Sequence, residues 1–145
     1  MLIDGVNALP GAIDLIDRMN ANIVNYFVVT NDASVSLESR VKTFAAKGFN
    51  IPIDRIINSG SLIAGYYEEH DLRGSSTLVL GTQDSKDYAI ASGAKLVELA
   101  GDIEPDVVIL GHSGPHDWES TLENLLALFS RRFQENNPVR LVLPN

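Results

Sequence analysis

The sequence has 145 residues, 45% of them hydrophobic, with eleven basic and nineteen acidic side chains and a formal charge of −8. This charge disfavours binding to the phosphate backbone of nucleic acids and to anionic membrane surfaces. The absence of cysteine excludes a disulfide framework, a thiolate metal site and a cysteine nucleophile. No apolar run approaches the ~20 residues of a membrane span, and no signal-peptide pattern occurs, so we predict a cytoplasmic protein.

Apolar runs typical of strands alternate with helical patterns along the chain, which predicts an α/β fold with a parallel sheet. Ala12 begins an apolar stripe at helical spacing directly after Pro10 and Gly11. A second helix is predicted with Ser36 as its N-cap and Gly48 as its stop. The other elements predicted in the first half are strands at 26–29 and 55–58, a turn at 59–61 and a helix ending near residue 69.

The polar stretch from Asp71 to Ser76 is the best internal boundary, and we divide the chain near residue 74. Beyond it, the pattern predicts strands at 77–81, 106–111 and 139–143 and helices at 86–92 and 118–134. Two consecutive α/β units fit these elements.

The most informative segment is "YFVVTNDASVS", in which a predicted strand ends in Thr30, Asn31 and Asp32 and a small polar loop leads into a helix. In open α/β sheets the ligand site lies beyond the carboxyl ends of the strands. A hydroxyl, an amide and free N–H groups beside a helix N-terminus suit an anion such as phosphate. Asn, Asp and Ser are also common turn and capping residues, so phosphate binding and helix capping remain open as alternatives.

The first half of the chain resembles a known family in three segments, "LPGAIDLIDRM", "FVVTNDASVS" and "RIINSGSLIAGYY". Ser34 and Ser36 follow Thr30 at offsets +4 and +6, a spacing similar to that of the haloacid dehalogenase-like hydrolases of subfamily IIA. These are the NagD-like and p-nitrophenyl phosphatase-like members, which carry a C2 cap. Asp32 departs from the family pattern, which usually has a second asparagine at this position.

The second half resembles the first part of that cap in the segments "TLVLGTQ", "GAKLVE", "PDVVILGH" and "VRLVLPN". The resemblance therefore implies a three-layer, Rossmann-like parallel sheet core that is incomplete here, with an inserted α/β cap. On this interpretation residues 1–74 are a partial core and residues 75–145 are the first part of the cap.

The resemblance implies a Mg²⁺-dependent phosphatase that acts on small phosphorylated metabolites through an aspartyl-phosphate. In such an enzyme one aspartate attacks phosphorus, a second protonates the leaving oxygen, and a Thr or Ser hydroxyl holds the phosphoryl oxygens. Only the phosphate-binding part is present here, at Thr30, Asn31 and Asp32. The lysine and most of the Mg²⁺ ligands are expected outside this chain, so no metal site is predicted within it.

Asp4, in the segment "IDGV", imitates the end of the family's catalytic motif. The family has about twelve residues from the motif glycine through the Pro-Gly glycine, whereas only seven residues run from Gly5 through Gly11. If Leu2 instead ended the motif, the spacing would be restored and both catalytic aspartates would precede residue 1. We therefore favour a turn in the loop after the motif for Asp4 over a catalytic role.

His112 and His116, in "GHSGPHDW", are candidates for substrate contact in the cap. Their spacing also suits a metal ligand pair, although the Gly and Pro between them indicate a loop instead of a helix face. The final helix carries an apolar stripe that we assign either to the core or to a homodimer surface. The stripe consists of Trp118, Leu122, Leu125, Leu126 and Phe129.

Two hypotheses from different classes follow. In the first, the chain is a piece of a phosphatase and is catalytically silent because the nucleophile, lysine and acidic motifs lie outside it. In the second, the chain is a non-catalytic α/β module that binds a phosphate-bearing ligand at the Thr30 loop.

Overall fold

The computed structural model describes residues 2–99, 102–112, 114 and 117–144. The first half forms a two-stranded parallel sheet with two helices. Its elements are α1 (Ala12–Ala21), β1 (Val28–Thr30), α2 (Leu37–Ala46) and β2 (Ile56–Asn58). Strand β1 pairs with β2 in a register that places Thr30 opposite Asn58, so the carboxyl ends of both strands lie side by side. We call this half the first unit.

The second half is a four-stranded sheet, and we call it the second unit. Its strands lie in the order β4-β3-β5-β6, and every pair is parallel. Its elements are α3 (Ile63–Glu69), β3 (Ser76–Leu80), α4 (Gln83–Ala91), β4 (Lys95–Leu96), β5 (Val107–Leu110), α5 (Trp118–Gln134) and β6 (Arg140–Val142).

Each unit has its own hydrophobic core. In the first unit, Ile16 of α1 and Phe44 of α2 are buried together with Ile56 of β2. In the second unit the two faces of the sheet are covered by different helices. One face meets α3 and α4, and its buried members include Tyr67, Val79, Ala89, Val107 and Ile109. The other face meets α5, and its buried members are Leu78, Leu80, Val108 and Leu125. The second unit is thus a three-layer α/β structure.

The structure confirms the predicted α/β class with parallel strands. Helices α1 and α2 begin where their caps predict, and α5 has the predicted bounds. The first strand begins at Val28, two residues later than predicted, because its partner β2 begins at Ile56 and the residues before it, Ile53–Arg55, form a 3₁₀ turn. Strand β4 was not predicted, since two exposed residues are too short to show an alternating pattern.

Helix α3 packs on the second sheet. Ile63 and Tyr67 belong to the same buried cluster as Val79 and Val107, and the Tyr67 hydroxyl lies 2.8 Å from Oγ1 of Thr77. The predicted division near residue 74 would separate this helix from the sheet that it covers.

The residues of the predicted apolar stripe of α5 lie in two environments. Leu125 is buried, and Trp118 and Phe129 are half-buried against the same cluster, which confirms the core assignment for these three. Leu122 and Leu126 are exposed, and a homodimer through them stays a prediction. Among the described residues, no helix is long and apolar enough to cross a membrane.

Candidate functional site

The candidate site lies at the carboxyl ends of β1 and β2. Thr30 is the last residue of β1, and α2 begins seven residues later at Leu37. The Ser36 hydroxyl caps that helix by accepting a hydrogen bond from the Ser39 N–H at 3.2 Å. The positive end of the α2 dipole therefore points toward the loop that begins at Thr30.

Asp32 is engaged within its own loop. Its Oδ1 accepts hydrogen bonds from the N–H of Ser34, at 2.8 Å, and from the Ser34 hydroxyl, and its Oδ2 forms an ion pair with Arg40. Partial burial alone would raise the pKa of the Asp32 carboxyl, but the bonds from Ser34 and Arg40 outweigh it and lower that pKa below its usual value. Asp32 is thus ionised at neutral pH, and its carboxylate braces the loop.

The side chains of Thr30 and Asn31 make fewer hydrogen bonds within the protein than that of Asp32. The Thr30 hydroxyl oxygen accepts a long bond, 3.4 Å, from the N–H of Asp32. Asn31 is exposed, and its side-chain amide bonds no residue that the structure describes, although its carbonyl oxygen accepts from the Ser59 hydroxyl at 2.8 Å. Both side chains therefore retain hydrogen-bonding capacity for a ligand, whereas Asp32 would repel an anion through its charge.

A cavity of about 650 Å³ lies beside Thr30, along the edge of β1 that β2 does not cover. Its lining is mostly apolar, with Ile16 and Phe44 among the members, and its basic groups are Arg40 and Lys47. The Nε of Arg40 is buried and has no hydrogen-bond partner among the described residues. Because Arg40 is paired with Asp32, Lys47 is the cation of this lining without a carboxylate partner among the described residues.

Asp4 forms a turn, as the spacing argument predicts. Its Oδ1 accepts hydrogen bonds from the N–H groups of Asn7 and Val6, at 2.9 and 3.3 Å, and Ile3 bridges Ala8 in antiparallel fashion. The bond from Asn7 is the main cause of the lowered pKa of this exposed carboxyl. In the structure the Asp4 carboxylate thus braces a turn at the surface.

His112 is exposed immediately after β5, where its N–H donates to the Leu80 carbonyl oxygen at 3.3 Å. His116 lies outside the described residues. The structure therefore brings Thr30, Asn31 and Asp32 together at one edge and leaves the histidine prediction untested.

Sequence reasoning missed two groups of residues at the site. Arg40 and Lys47 were not predicted as site residues, because their positions in the sequence carry no signal that they line the same cavity as Thr30. Three side chains of α4 also contact the loop after Asp32, at sequence separations of about fifty residues. Contacts at that distance leave no local pattern, so only the fold reveals them.

The family model described as haloacid dehalogenase-like hydrolase matches residues 1–95, about two thirds of the sequence. The chain belongs to the haloacid dehalogenase-like hydrolase family. This confirms the resemblance carried by the Thr30 motif and by the Pro-Gly start of α1. A comparison of the sequence with curated proteins gave no match.

Solved structures with the same fold include several phosphatases. NagD from E. coli K-12 superposes with a TM-score of 0.79 at 19% identity, covering 100% of this chain and 53% of that one. The 4-nitrophenylphosphatase from Thermotoga maritima gives a TM-score of 0.78 at 19% identity, covering 100% and 51%. The glycerol phosphate phosphatase from Mycobacterium tuberculosis, solved with magnesium, gives 0.78 at 22% identity, covering 100% and 41%. The chain spans about half the length of these neighbours.

The described residues of this chain do not fit a magnesium site. They include no group of three or more His, Cys, Asp or Glu side chains that could hold a metal ion. Asp32, the carboxylate beside Thr30, is already paired with Arg40. We therefore derive no chemical step through a metal from these residues.

Proposed function

We propose that this chain supplies the phosphate-holding part of a Mg²⁺-dependent phosphatase that acts on small phosphorylated metabolites. The observation that carries the proposal is the position of the Thr30 hydroxyl, at the carboxyl end of β1 and beside a cavity that holds Arg40 and Lys47. Hydroxyl, amide and guanidinium donors beside a helix N-terminus suit the oxygens of a phosphoryl group. Membership of the hydrolase family and the phosphatases among its structural neighbours support the same function.

We further propose that the two units correspond to a core part and the first part of a cap. The sequence divides them near residue 74, but the packing of α3 on the second sheet favours a division within Ser59–Leu62, the 3₁₀ turn that precedes α3. Residues before this turn then belong to the core and residues after it to the cap.

The 145-residue chain by itself is expected to be catalytically silent. An aspartyl-phosphate requires a free carboxylate aimed at phosphorus, but the Asp32 carboxylate is held by Arg40 and that of Asp4 by its own turn. We expect incubation of the chain with p-nitrophenyl phosphate and Mg²⁺ to release nitrophenol at the rate of the buffer blank. Clear turnover by the purified chain would contradict the proposal.

Phosphate binding itself can be tested by titrating inorganic phosphate into the ¹⁵N-labelled chain at constant ionic strength. We expect the Thr30 and Asn31 amide signals to shift, and Thr30→Val to weaken binding by about tenfold or more, since one hydrogen bond to a charged group is lost. Thr43→Val is the matched control, because Thr43 lines the same cavity but its hydroxyl donates to the Ser39 carbonyl oxygen at 2.9 Å. Equal weakening by both variants would argue against a role for the Thr30 hydroxyl.

A second candidate function is a non-catalytic module that binds a phosphate-bearing ligand. It is favoured by the burial of Ile16, Phe44 and Ile56 in the first unit, although the sheet has only two strands. A monomeric chain whose melting temperature rises with phosphate, without hydrolysis, would support this candidate. Aggregation of the isolated chain would instead favour the first proposal, in which the chain is part of a phosphatase.

A further inference from the structure

The second sheet has a crevice of the kind in which α/β proteins bind ligands. In the strand order, β4 lies next to β3 at one edge of the sheet and β6 lies next to β5 at the other edge. The connection from β3 to β4 and the connection from β5 to β6 therefore run in opposite directions, away from the point between β3 and β5. In open parallel sheets, ligands bind outside the carboxyl ends of the strands at such a point. Here segment 33–36 of the first unit, which directly follows Asp32, lies against this point.

Ser85 of α4 makes the innermost contact with that segment. Its hydroxyl donates to the Ala33 carbonyl oxygen at 3.0 Å, and both residues are buried. Gly81 and Gly111 directly follow β3 and β5, and a Cβ at either would lie within 2.9 Å of the Ser85 side chain. The absence of side chains at these two positions leaves the space in which Ser85 reaches the loop.

The N-terminal residues of α4 hold the segment at two further points. The Thr82 hydroxyl donates to the Ser34 carbonyl oxygen at 2.7 Å, and the Ser36 N–H donates to the Asp84 carboxylate at 2.6 Å. Since Ser36 is the N-cap of α2, the second unit also fixes the start of the helix that follows the Thr30 loop.

Tyr88 completes the contacts at Val35. Its hydroxyl donates to the Val35 carbonyl oxygen at 3.1 Å, and the Asn58 side-chain amide donates to both the same carbonyl oxygen and the Tyr88 hydroxyl, at 2.9 and 2.7 Å. The Tyr88 ring packs against Gly60, where a Cβ would come within 2.6 Å of it. Every residue of segment 33–36 thus has a backbone group bonded to a side chain of α4 or its N-cap.

We infer that Ser85 and Tyr88 are positioning residues for the Thr30 loop. By holding segment 33–36 in the crevice of the second sheet, they set the backbone conformation in which Thr30 and Asn31 meet a phosphate group. The part that concerns phosphate rests on the proposed function, whereas the hold on the loop rests on the contacts alone. The second unit therefore controls the geometry of a site whose donors belong to the first.

The test uses Tyr88→Phe and Ser85→Ala in the 145-residue chain, with Gln83→Ala as the control. Gln83 is exposed on the same helix and bonds only Asp87 among the described residues. Amide hydrogen exchange at Ser34 and Ser36 should rise about fivefold in both variants, as expected for the loss of one hydrogen bond, while exchange in β3 stays unchanged. The dissociation constant for inorganic phosphate should rise by a similar factor, and the control should change neither quantity.

Exchange at Ser34 and Ser36 that stays at the wild-type rate in folded Tyr88→Phe would overturn the inference. Faster exchange with unchanged phosphate affinity would overturn the positioning role and leave a packing contact only. If the wild-type chain binds no phosphate, the proposed function fails, and the exchange rates still decide whether α4 sets the loop conformation. Should Ser85→Ala not fold, Tyr88→Phe, which keeps the ring on Gly60, decides alone.

Discussion

At the scale of single residues, Asp32 determines the charge of the candidate site. Its carboxylate neutralises Arg40, so of the two cations that line the cavity only Lys47 has no carboxylate partner among the described residues. An asparagine, which the family usually has at this position, would keep an oxygen for the Ser34 N–H but would leave the Arg40 guanidinium without a counter-charge. The loop is thus braced more strongly, and is less positive, with aspartate than with asparagine.

Asp32→Asn should lower the free energy of unfolding of the chain, and the size of this loss should depend on pH. Because the pKa of Asp32 is lowered in the folded state, its contribution is complete above its unfolded pKa of about 3.9 and is lost as the pH falls through the folded pKa. We expect the variant to be less stable at pH 7 by at most ~1 kcal/mol, since the pair is partly exposed. Urea unfolding at pH 7 and at pH 3 measures this, and the difference should shrink at the lower pH.

Asp17→Asn, at an exposed position of α1, is the control for the loss of a carboxylate.

The same variants also test the electrostatics of the site. Asp32→Asn should bind inorganic phosphate more tightly than the wild type, because Arg40 is freed. Weaker binding by Asp32→Asn would show that bracing of the loop outweighs its charge.

At the scale of elements, α2 matters because its first turn faces the candidate site. The Ser36 hydroxyl accepts from the Ser39 N–H, and Gly48 ends the helix region with a φ of +88°, a conformation that suits glycine. Both ends of the helix were predicted from these residues. The cap is shared with the second unit, because the Ser36 N–H is bonded to Asp84.

Ser36→Ala should lower the free energy of unfolding by about 1 kcal/mol, the usual cost of losing an N-cap hydroxyl. Ser36→Thr should restore most of the loss, since a threonine hydroxyl also caps helices. Ser130→Ala, in an exposed position of α5, is the matched control and should be neutral or slightly stabilising. Chemical denaturation measures all three, and an equal loss at Ser36 and Ser130 would mean that the cap is unimportant.

At the scale of the whole molecule, the two units differ in how completely their sheets are covered. The second sheet has helices on both faces, whereas the first has an apolar side left open at Phe27 and Val29, which are 55% and 72% exposed. Parallel sheets are normally buried on both faces. The open side of β1 is therefore a surface suited to contact another polypeptide.

Val29→Lys should reduce self-association of the isolated chain, because a charge on an open strand opposes pairing with a second strand. Val6→Lys makes the same change of charge at a residue that is 74% exposed but lies in a turn, so it serves as the control. Light scattering at increasing protein concentration should show aggregates for the wild type and Val6→Lys before Val29→Lys. Identical behaviour of the two variants would show that the open side of β1 does not drive association.

The sequence by itself determined the α/β class, the start of α1, the bounds of α2 and α5 and the turn at Asp4, because helix periodicity, caps and turn residues act over a few neighbouring positions. It also placed Thr30 and Asn31 at the end of a strand. Only the tertiary structure decided that α3 belongs with the second sheet, that Leu126 stays exposed while Leu125 is buried, and that Tyr88 holds Val35 across 53 residues. These features depend on tertiary contacts between residues that are distant in the sequence, and no local pattern of residues predicts such contacts.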